Sequence, residues 1–251
     1  MTAEAIGCLE PHWPAVTGVT ARFTLRSGGV SQGAYASLNL GSHVGDRPAA
    51  VAHNRARLRE QLGLPDEPLW LQQVHGCEML DADQLGAVSA GSAPRADAAV
   101  SRRGGRVLAV LVADCLPVLF AACDGSAIGI AHAGWRGLAA GVLEAAVRAL
   151  AGHGPLQAWL GPAIGPAHFE VGDEVRAAFV AHDARATAAF VPNARGRWQC
   201  DLRALARARL AALGIDSLHA DASCTYAQPQ RFYSYRRDGV TGRMAALIWR
   251  R

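Results

Sequence analysis

The sequence predicts a mixed α/β fold of the α+β kind, a layered sandwich in which a mixed β-sheet carries helices on its outside. Three consecutive runs of leucine and β-branched residues, at residues 106–113, 116–122 and 127–131, predict central strands that are buried on both faces. Apolar residues at helical spacing follow at residues 136–151. Because strands and helices are mixed without strict alternation, we expect the helices to pack outside a mixed sheet.

Other elements are predicted from apolar patterns and from capping residues. Asp46 is expected to cap the first helix, and Gly63 follows its end; Asp201 and Gly214 take the same places around the last helix. A glycine- and serine-rich loop precedes the first helix, and a loop of this length in a compact domain is usually functional. Strands are predicted at residues 19–25, 68–74, 77–80, 97–101 and 243–249, helices at residues 47–62, 172–181 and 202–213, and the long loop at residues 26–45.

Composition restricts the class of protein. A chain of 251 residues with 51% hydrophobic residues can bury a full core yet remain one unit, so we expect a single catalytic domain over residues 1–251. All 25 basic residues are arginine, which excludes a Schiff base or an amine nucleophile from a lysine side chain. The net charge of +4 is scattered, without a run of five like charges, so no nucleic-acid partner is expected.

The compartment is predicted from what the sequence lacks. Its start shows no signal-peptide pattern, and no stretch approaches the roughly 20 apolar residues that a membrane span needs. We therefore expect a cytoplasmic protein with no membrane partner. The six cysteines form no CxxC pair, so in a reducing compartment they should be thiols or metal ligands.

Three residues that can bind a metal stand at the ends of apolar strands. His75, Cys115 and His132 would give zinc three nitrogen and sulfur ligands and leave a fourth position open, as in catalytic zinc sites. Their spacing matches no short zinc motif. Judged from the residues alone, Cys115 can equally be an inert buried thiol, His75 a turn residue and His132 a hydrogen-bonded core histidine.

Eight segments of the sequence carry motifs that can be recognised together: residues 26–31, 37–41, 43–46, 73–76, 113–117, 132–137, 161–165 and 232–239. They resemble the YfiH-like family, also called the laccase-domain, multicopper polyphenol oxidase or peptidoglycan editing factor family. The resemblance extends in order from residue 19 to residue 249. One departure is Leu25, where similar proteins have a second threonine beside the arginine.

The resemblance implies a metal centre and an activity. It implies that His75, Cys115 and His132 bind zinc and are the catalytic centre, with copper the less expected metal. It also implies a purine nucleoside phosphorylase acting on adenosine and inosine, with methylthioadenosine phosphorylase and adenosine deaminase activities attributed to similar proteins. The expected partners are a purine nucleoside and phosphate, and the chain is expected to be a monomer or a small homo-oligomer.

Four further residues are candidates for the substrate site. Arg136 opens a helix after a glycine, where free N–H groups suit an anion, and Arg26 lies in the glycine-rich loop with a fork that matches phosphate. Asp114 either orients a ligating imidazole or caps a turn. His43, in the same long loop as Arg26, is a candidate for the site.

Three other functions compete with the phosphorylase. A copper phenol oxidase needs many paired histidines, whereas the nine histidines here include no HxH motif. A metal-free hydrolase would use Cys115 as nucleophile with a histidine base. An editing hydrolase would act on misloaded peptidoglycan precursors, and the residues do not decide between that substrate and purine nucleosides.

Overall fold

Two β-sheets packed face to face form the centre of the molecule, in a computed structural model that describes residues 5–85 and 93–251. The strands are β1 (Cys8–Leu9), β2 (Val19–Thr24), β3 (Met79–Asp81), β4 (Ala98–Ser101), β5 (Val107–Val112), β6 (Leu116–Ala122), β7 (Ile128–Ala133), β8 (Leu156–Leu160), β9 (Glu170–Val171), β10 (Phe190–Pro192), β11 (Trp198–Cys200), β12 (Ser217–Ala220) and β13 (Met244–Arg250). The α-helices are α1 (Pro48–Leu62), α2 (Trp135–Ala140), α3 (Val142–Ala149), α4 (Asp173–Val180), α5 (Leu202–Ala212) and α6 (Tyr235–Asp238).

The two main sheets differ in strand direction. One is antiparallel, with four strands in the order β1-β2-β13-β5. The other is mixed, with six strands in the order β12-β8-β6-β7-β4-β3, and its two outermost pairs are parallel. A small antiparallel sheet, β10-β11-β9, lies apart from them.

Strand β5 shows why the centre is stable. All its residues are buried, and alternate side chains belong to different cores. Leu108 and Val110 pack with Leu119 and Ile130 of the six-stranded sheet, whereas Leu111 packs with α1. Full burial of such a side chain contributes about 1.5–3 kcal/mol. The predicted burial of the central strands on both faces is confirmed.

Helices cover both outer faces. Helix α1 covers the four-stranded sheet through Leu58, and α3 and α5 cover the six-stranded sheet through residues such as Leu143 and Leu205. The predicted layered sandwich with outer helices is therefore confirmed, with two main sheets in its centre. Among the described residues, no helix has both the length and the apolar character needed to cross a bilayer.

Two predicted helix features are wrong. The helix expected at residues 136–151 is two helices, α2 and α3, because Gly141 adopts a left-handed conformation with φ of 96° between them. The N-cap of α1 is Arg47, not Asp46. The Asp46 carboxylate instead braces the long loop, accepting hydrogen bonds from Ser31 Oγ at 2.6 Å and from Asn39 Nδ2 at 3.0 Å.

The strand predicted at residues 68–74 is also wrong, and the strand predicted at residues 77–80 shifts to Met79–Asp81. Only isolated bridges form at Leu69 and Gln72. The reason lies in the side chain of Gln73, which bonds the backbone of Leu111 through Oε1 at 2.7 Å and Nε2 at 2.9 Å. An amide side chain thus replaces a strand ladder beside β5.

Candidate metal centre

The structure brings His75, Cys115 and His132 together. Their potential ligand atoms all lie within 4.8 Å of one another. His75 Nε2 is 3.9 Å from Cys115 Sγ, and the His75 and His132 rings meet edge to face at 4.8 Å between centroids. His75 is exposed, Cys115 is half-buried and His132 is buried. We refer to these three residues as the ligand triad.

Sheet register explains why two members of the ligand triad meet. Strands β6 and β7 are antiparallel neighbours, so the start of β6 and the end of β7 lie at the same edge of the sheet. Pro117 pairs with His132, and Cys115 immediately precedes β6. This is the strand-end geometry that the sequence predicted.

The third member lies on a strained turn. His75 has φ of 60°, a left-handed conformation that costs a non-glycine residue roughly 1–2 kcal/mol. The carboxylate of Asp97 holds this turn by accepting hydrogen bonds from three backbone N–H groups. These belong to Val74 and His75, each at 3.0 Å, and to Gly76 at 2.8 Å. Strain of this kind persists where surrounding contacts fix the backbone, as they do here.

Asp97 also orients His132. Its Oδ1 lies 2.8 Å from His132 Nδ1, and both side chains are buried. With Nδ1 engaged, Nε2 is the nitrogen left to serve as a ligand. Burial raises the pKa of Asp97, but hydrogen bonds from His132, Gly76 and Val74 hold it below its ordinary value. We did not single out Asp97 from the sequence, because an aspartate before a short strand has no local signature.

The ligand triad is electrostatically coupled. Burial raises the pKa of Cys115, but His132 and His75 lower it to about 6. Burial lowers the pKa of His132, but Cys115 and Asp97 raise it to about 9. Without a metal these shifts favour the thiolate of Cys115 and the imidazolium of His132. A metal ion that binds here would coordinate the Cys115 thiolate and would displace a proton from His132.

Gly134 keeps space for an ion beside the ligand triad. A Cβ at this position would lie 2.9 Å from Cys115 Sγ and 3.1 Å from His75 Cδ2. A side chain would thus fill the cradle between the two ligands. Together with two imidazoles and a thiolate as donors, this cradle fits a zinc ion.

Asp114 does not orient an imidazole, so that interpretation is wrong. Its carboxylate accepts hydrogen bonds from Thr225 Oγ1 at 2.6 Å, Ser234 Oγ at 3.0 Å and the backbone N–H of Arg236 at 2.7 Å. Asp114 therefore ties two C-terminal segments, including the start of α6, to the sheet, whereas the N-cap of α6 is Ser234. The capping of a local turn that the sequence left open stays a prediction. Substrate binding by Asp114 stays a prediction.

Arg26 and Arg136 lie in very different surroundings. Arg26 donates through Nε and Nη2 to the carbonyl of Ala36, at 3.0 and 2.9 Å, and through Nη1 to that of Pro229 at 2.8 Å. Arg136 is exposed, and its guanidinium lies 4.3 Å from the centre of the Trp135 ring. In the described ranges no hydrogen bond joins either arginine to the ligand triad. Phosphate binding by these residues stays a prediction.

His43 lies near the ligand triad in a cationic region. Burial lowers the pKa of His43, and the nearby Arg243, Arg55 and His75 lower it further. Burial also lowers the pKa of Arg243, against the opposing effect of Cys115 and Asp114. Arg243 is thus a neighbour of the centre that the sequence did not reveal, since it merely precedes the last strand.

Comparison with known proteins identifies the family. Residues 20–251 match the family described as multi-copper polyphenol oxidoreductase laccase. The chain belongs to this family. A Pseudomonas aeruginosa member named purine nucleoside phosphorylase is 52% identical over 243 residues, covering 96% of this chain and 97% of its own length. Purine nucleoside phosphorylase YfiH of Escherichia coli is 49% identical over 242 residues, covering 96% of this chain and 98% of its own.

Solved structures of the family have the same fold. A Neisseria meningitidis protein assigned to family DUF152 superposes with a TM-score of 0.91 at 45% identity, covering 97% of this chain and 99% of its own. YlmD from Geobacillus stearothermophilus superposes with a TM-score of 0.91 at 33% identity, covering 99% of this chain and 97% of its own. The YfiH-like resemblance seen in the motifs is confirmed.

Proposed function

We propose that this chain is a zinc-dependent purine nucleoside phosphorylase, which cleaves adenosine, inosine and methylthioadenosine with phosphate as acceptor. The observation that carries the proposal is the convergence of the ligand triad within 4.8 Å. It occurs in a chain 52% identical to a protein named for this activity. Because His75 is exposed, a substrate can reach the centre from solvent.

Zinc suits the donor set better than the copper that the family's name mentions. Two imidazoles and one thiolate leave the fourth zinc position open, which is the pattern of catalytic sites. A multicopper oxidase needs several clusters of ligands. Within residues 5–85 and 93–251 the structure contains one group of three or more such residues, the ligand triad.

The residues of the centre have separate tasks in this proposal. Asp97 engages Nδ1 of His132, which leaves Nε2 as the nitrogen that would bind an ion, and it fixes the turn that carries His75. Gly134 leaves room between Cys115 and His75. When bound, zinc supplies a Lewis acid that can polarise a substrate atom and lower the pKa of water.

We also propose adenosine deamination at the same centre. Residues 168–170 read His-Phe-Glu, the His-x-Glu spacing of known zinc deaminases, but these side chains are engaged elsewhere. His168 stacks on Tyr226 at 4.4 Å, and Glu170 pairs with Arg195 at 2.9 Å. A proton shuttle at the ligand triad is therefore a residue other than Glu170.

The decisive experiment is product analysis with zinc-loaded protein. Inosine is incubated with and without phosphate, and ribose 1-phosphate and free ribose are quantified. We expect ribose 1-phosphate that depends on phosphate and on zinc. Free ribose formed at the same rate with and without phosphate would contradict a phosphorylase and indicate a hydrolase. Adenosine in the same assay reports deamination through the appearance of inosine or hypoxanthine.

A metal-free cysteine hydrolase is the second candidate, because the proximity of His132 and His75 lowers the pKa of Cys115 and so favours a nucleophilic thiolate. Full activity after removal of zinc by a chelator would favour it. A hydrolase that acts on peptidoglycan precursors is the alternative that differs in substrate. Adding such a precursor to the product analysis above compares its turnover with that of inosine directly.

We further propose that residues 1–251 act as one catalytic domain in the cytoplasm. Strand β5 contributes side chains to two different cores, which joins the layers into one unit. All six cysteines are unpaired, as expected of a reducing compartment. The chain is proposed to be a monomer or a small homo-oligomer, and size-exclusion chromatography distinguishes the two. We propose no nucleic-acid partner and no membrane partner.

A further inference from the structure

We infer that the guanidinium of Arg243 and the imidazole of His43 form an oxyanion subsite beside the ligand triad, and that it takes inorganic phosphate. This inference rests on the proposed function and deepens it, since it assigns the acceptor to residues other than Arg26 and Arg136.

Arg243 is fixed against the loop that carries His43. Its backbone N–H donates to Asn39 Oδ1 at 2.9 Å, and its carbonyl accepts from the N–H of Leu40 at 3.2 Å. A Cβ on Gly41 would lie 2.8 Å from Arg243 Cγ, so the aliphatic stem is pressed against the loop two residues before His43. The two side chains of the subsite therefore belong to one packed unit.

The guanidinium of Arg243 is held at one nitrogen and free at the others. Nη1 donates to the carbonyls of Thr241 and Gly242, both at 3.0 Å. Within the described ranges Nε and Nη2 form no hydrogen bond. The guanidinium is half-buried and held through Nη1, so the two free nitrogens, Nε and Nη2, can donate to two oxygens of one phosphate.

Two other arginines that contact the long loop have no comparable free edge. Arg26 directs Nε and Nη2 at one carbonyl and Nη1 at another. Arg55 directs Nε and Nη2 at the carbonyl of Leu40, at 3.0 and 2.8 Å, and lies over the Trp70 ring. Both forks are engaged with the protein's own backbone, whereas the exposed Arg136 is a rival site that the experiment below tests.

The charges around the subsite favour an anion. His43 makes no hydrogen bond within the described ranges, and two cationic side chains, Arg243 and Arg55, lie near enough to lower its pKa. Of the anionic groups near Arg243, Asp114 is engaged with three donors, and Cys115 belongs to the ligand triad. Since a metal ion at the triad would add further positive charge, phosphate would supply the missing negative charge.

The test is direct titration of zinc-loaded protein with inorganic phosphate by isothermal calorimetry, without nucleoside. Arg243→Gln removes the charge, Arg243→Lys keeps it without the fork, and His43→Asn removes the imidazole. Arg136→Gln tests the rival site. Arg59→Gln, an exposed change in the last turn of α1, controls for net charge. Circular dichroism checks that each variant is folded.

We expect Arg243→Gln to weaken phosphate binding about tenfold or more, and Arg243→Lys and His43→Asn to weaken it by a smaller factor, about threefold. Arg59→Gln should bind within about twofold of the wild type. Lack of phosphate binding by the wild type, wild-type binding by both Arg243 variants, or a loss confined to Arg136→Gln would overturn the subsite.

Kinetics separate this inference from the proposed function. If inosine is phosphorolysed, Arg243→Lys should raise the KM for phosphate more than the KM for inosine. Phosphorolysis with an unchanged phosphate KM in Arg243→Lys overturns the subsite and leaves the proposed function standing. Arg243-dependent phosphate binding without any phosphorolysis supports the subsite and contradicts the proposed function.

Discussion

Asp97 and His132 face each other across adjacent antiparallel strands and are joined twice. The backbone N–H of His132 donates to the carbonyl of Asp97 at 2.7 Å, and the side chains meet at 2.8 Å between Nδ1 and Oδ1. Because the same carboxylate accepts from the turn that contains His75, one buried side chain positions two of the three proposed ligands.

The first prediction concerns Asp97→Asn. The amide replaces an acceptor of several N–H groups by a group that also donates, so the His75 turn loosens. We expect zinc affinity to fall about 10–100-fold, the range measured for partners of metal-ligating histidines. Competition with a chromophoric chelator measures the affinity.

Asp83→Asn is the matched control for this change. Asp83 accepts hydrogen bonds of 2.6 Å from Ser101 Oγ and from the N–H of Arg102, beyond the other end of β4. The Asp83→Asn substitution should lower the free energy of unfolding while leaving the affinity for zinc unchanged. Equal zinc affinities for wild type and Asp97→Asn would refute the positioning role.

The second prediction concerns Gly134→Ala. The new methyl group would lie 2.9 Å from Cys115 Sγ, so it competes with the ion for the same space. We expect zinc affinity to fall at least about tenfold, because movement of the Cys115 side chain disturbs the ligand geometry. The absorption spectrum of the cobalt-substituted protein reports that geometry.

Gly104→Ala controls for the loss of a glycine, since its Cβ would meet the carbonyl oxygen of Arg251 only at ordinary contact distance, 3.4 Å. It should give the cobalt spectrum of the wild type. A wild-type spectrum from Gly134→Ala as well would mean that the ion does not occupy the cradle.

The third prediction concerns Cys115→Ser. A hydroxyl is a far poorer zinc ligand than a thiolate at neutral pH, so zinc content and nucleoside cleavage should fall together while the fold survives. Cys123→Ser, at an exposed thiol, should change neither. Full activity in zinc-free Cys115→Ser would remove the metal from the mechanism.

The fourth prediction is a pH dependence of stability at Tyr233. Burial raises its pKa, and the hydroxyl donates to the Tyr35 carbonyl at 2.6 Å. Above pH about 10 the unfolded chain loses this proton while the folded chain keeps it. Stability therefore falls with rising pH, by about 1.4 kcal/mol per pH unit from this group.

Tyr233→Phe should be less stable at pH 7 by about 1 kcal/mol, for the lost hydrogen bond. Its unfolding free energy should fall less steeply than that of the wild type above pH about 10. Tyr235→Phe, at a 60% exposed position, should retain the wild-type slope. Urea unfolding at several alkaline pH values measures all three proteins, and parallel slopes for wild type and Tyr233→Phe would contradict the assignment.

The central strands could be predicted from sequence because burial on both faces produces uninterrupted apolar runs, and β6 begins and ends at the predicted residues, 116 and 122. The ligand triad could be predicted because Cys115 and His132 stand at strand ends and all three residues lie in family motifs, although His75 lies on a turn. Asp97 could not, since its role depends on the cross-strand pairing of β4 with β7.

Other features depend on tertiary context that local patterns do not contain. The apolar spacing of residues 136–151 continues through Gly141, so it does not show the left-handed residue that separates α2 from α3. The short strands β8 and β12 pair in parallel at the end of the sheet and carry little pattern of their own. Arg243 acquires its place only when the last strand packs beside the long N-terminal loop.

The placement of the ligand triad on three separate segments has a consequence for how the protein matures. His75, Cys115 and His132 meet only after β6, β7 and the Asp97 turn have assembled, so an incompletely folded chain offers zinc no complete set of donors. In the proposed zinc enzyme, metal binding would then be a late event that occurs only in folded molecules. By mass action a bound metal would slow their loss to proteolysis, because a ligand at 100 times its Kd stabilises the folded state by about 2.7 kcal/mol.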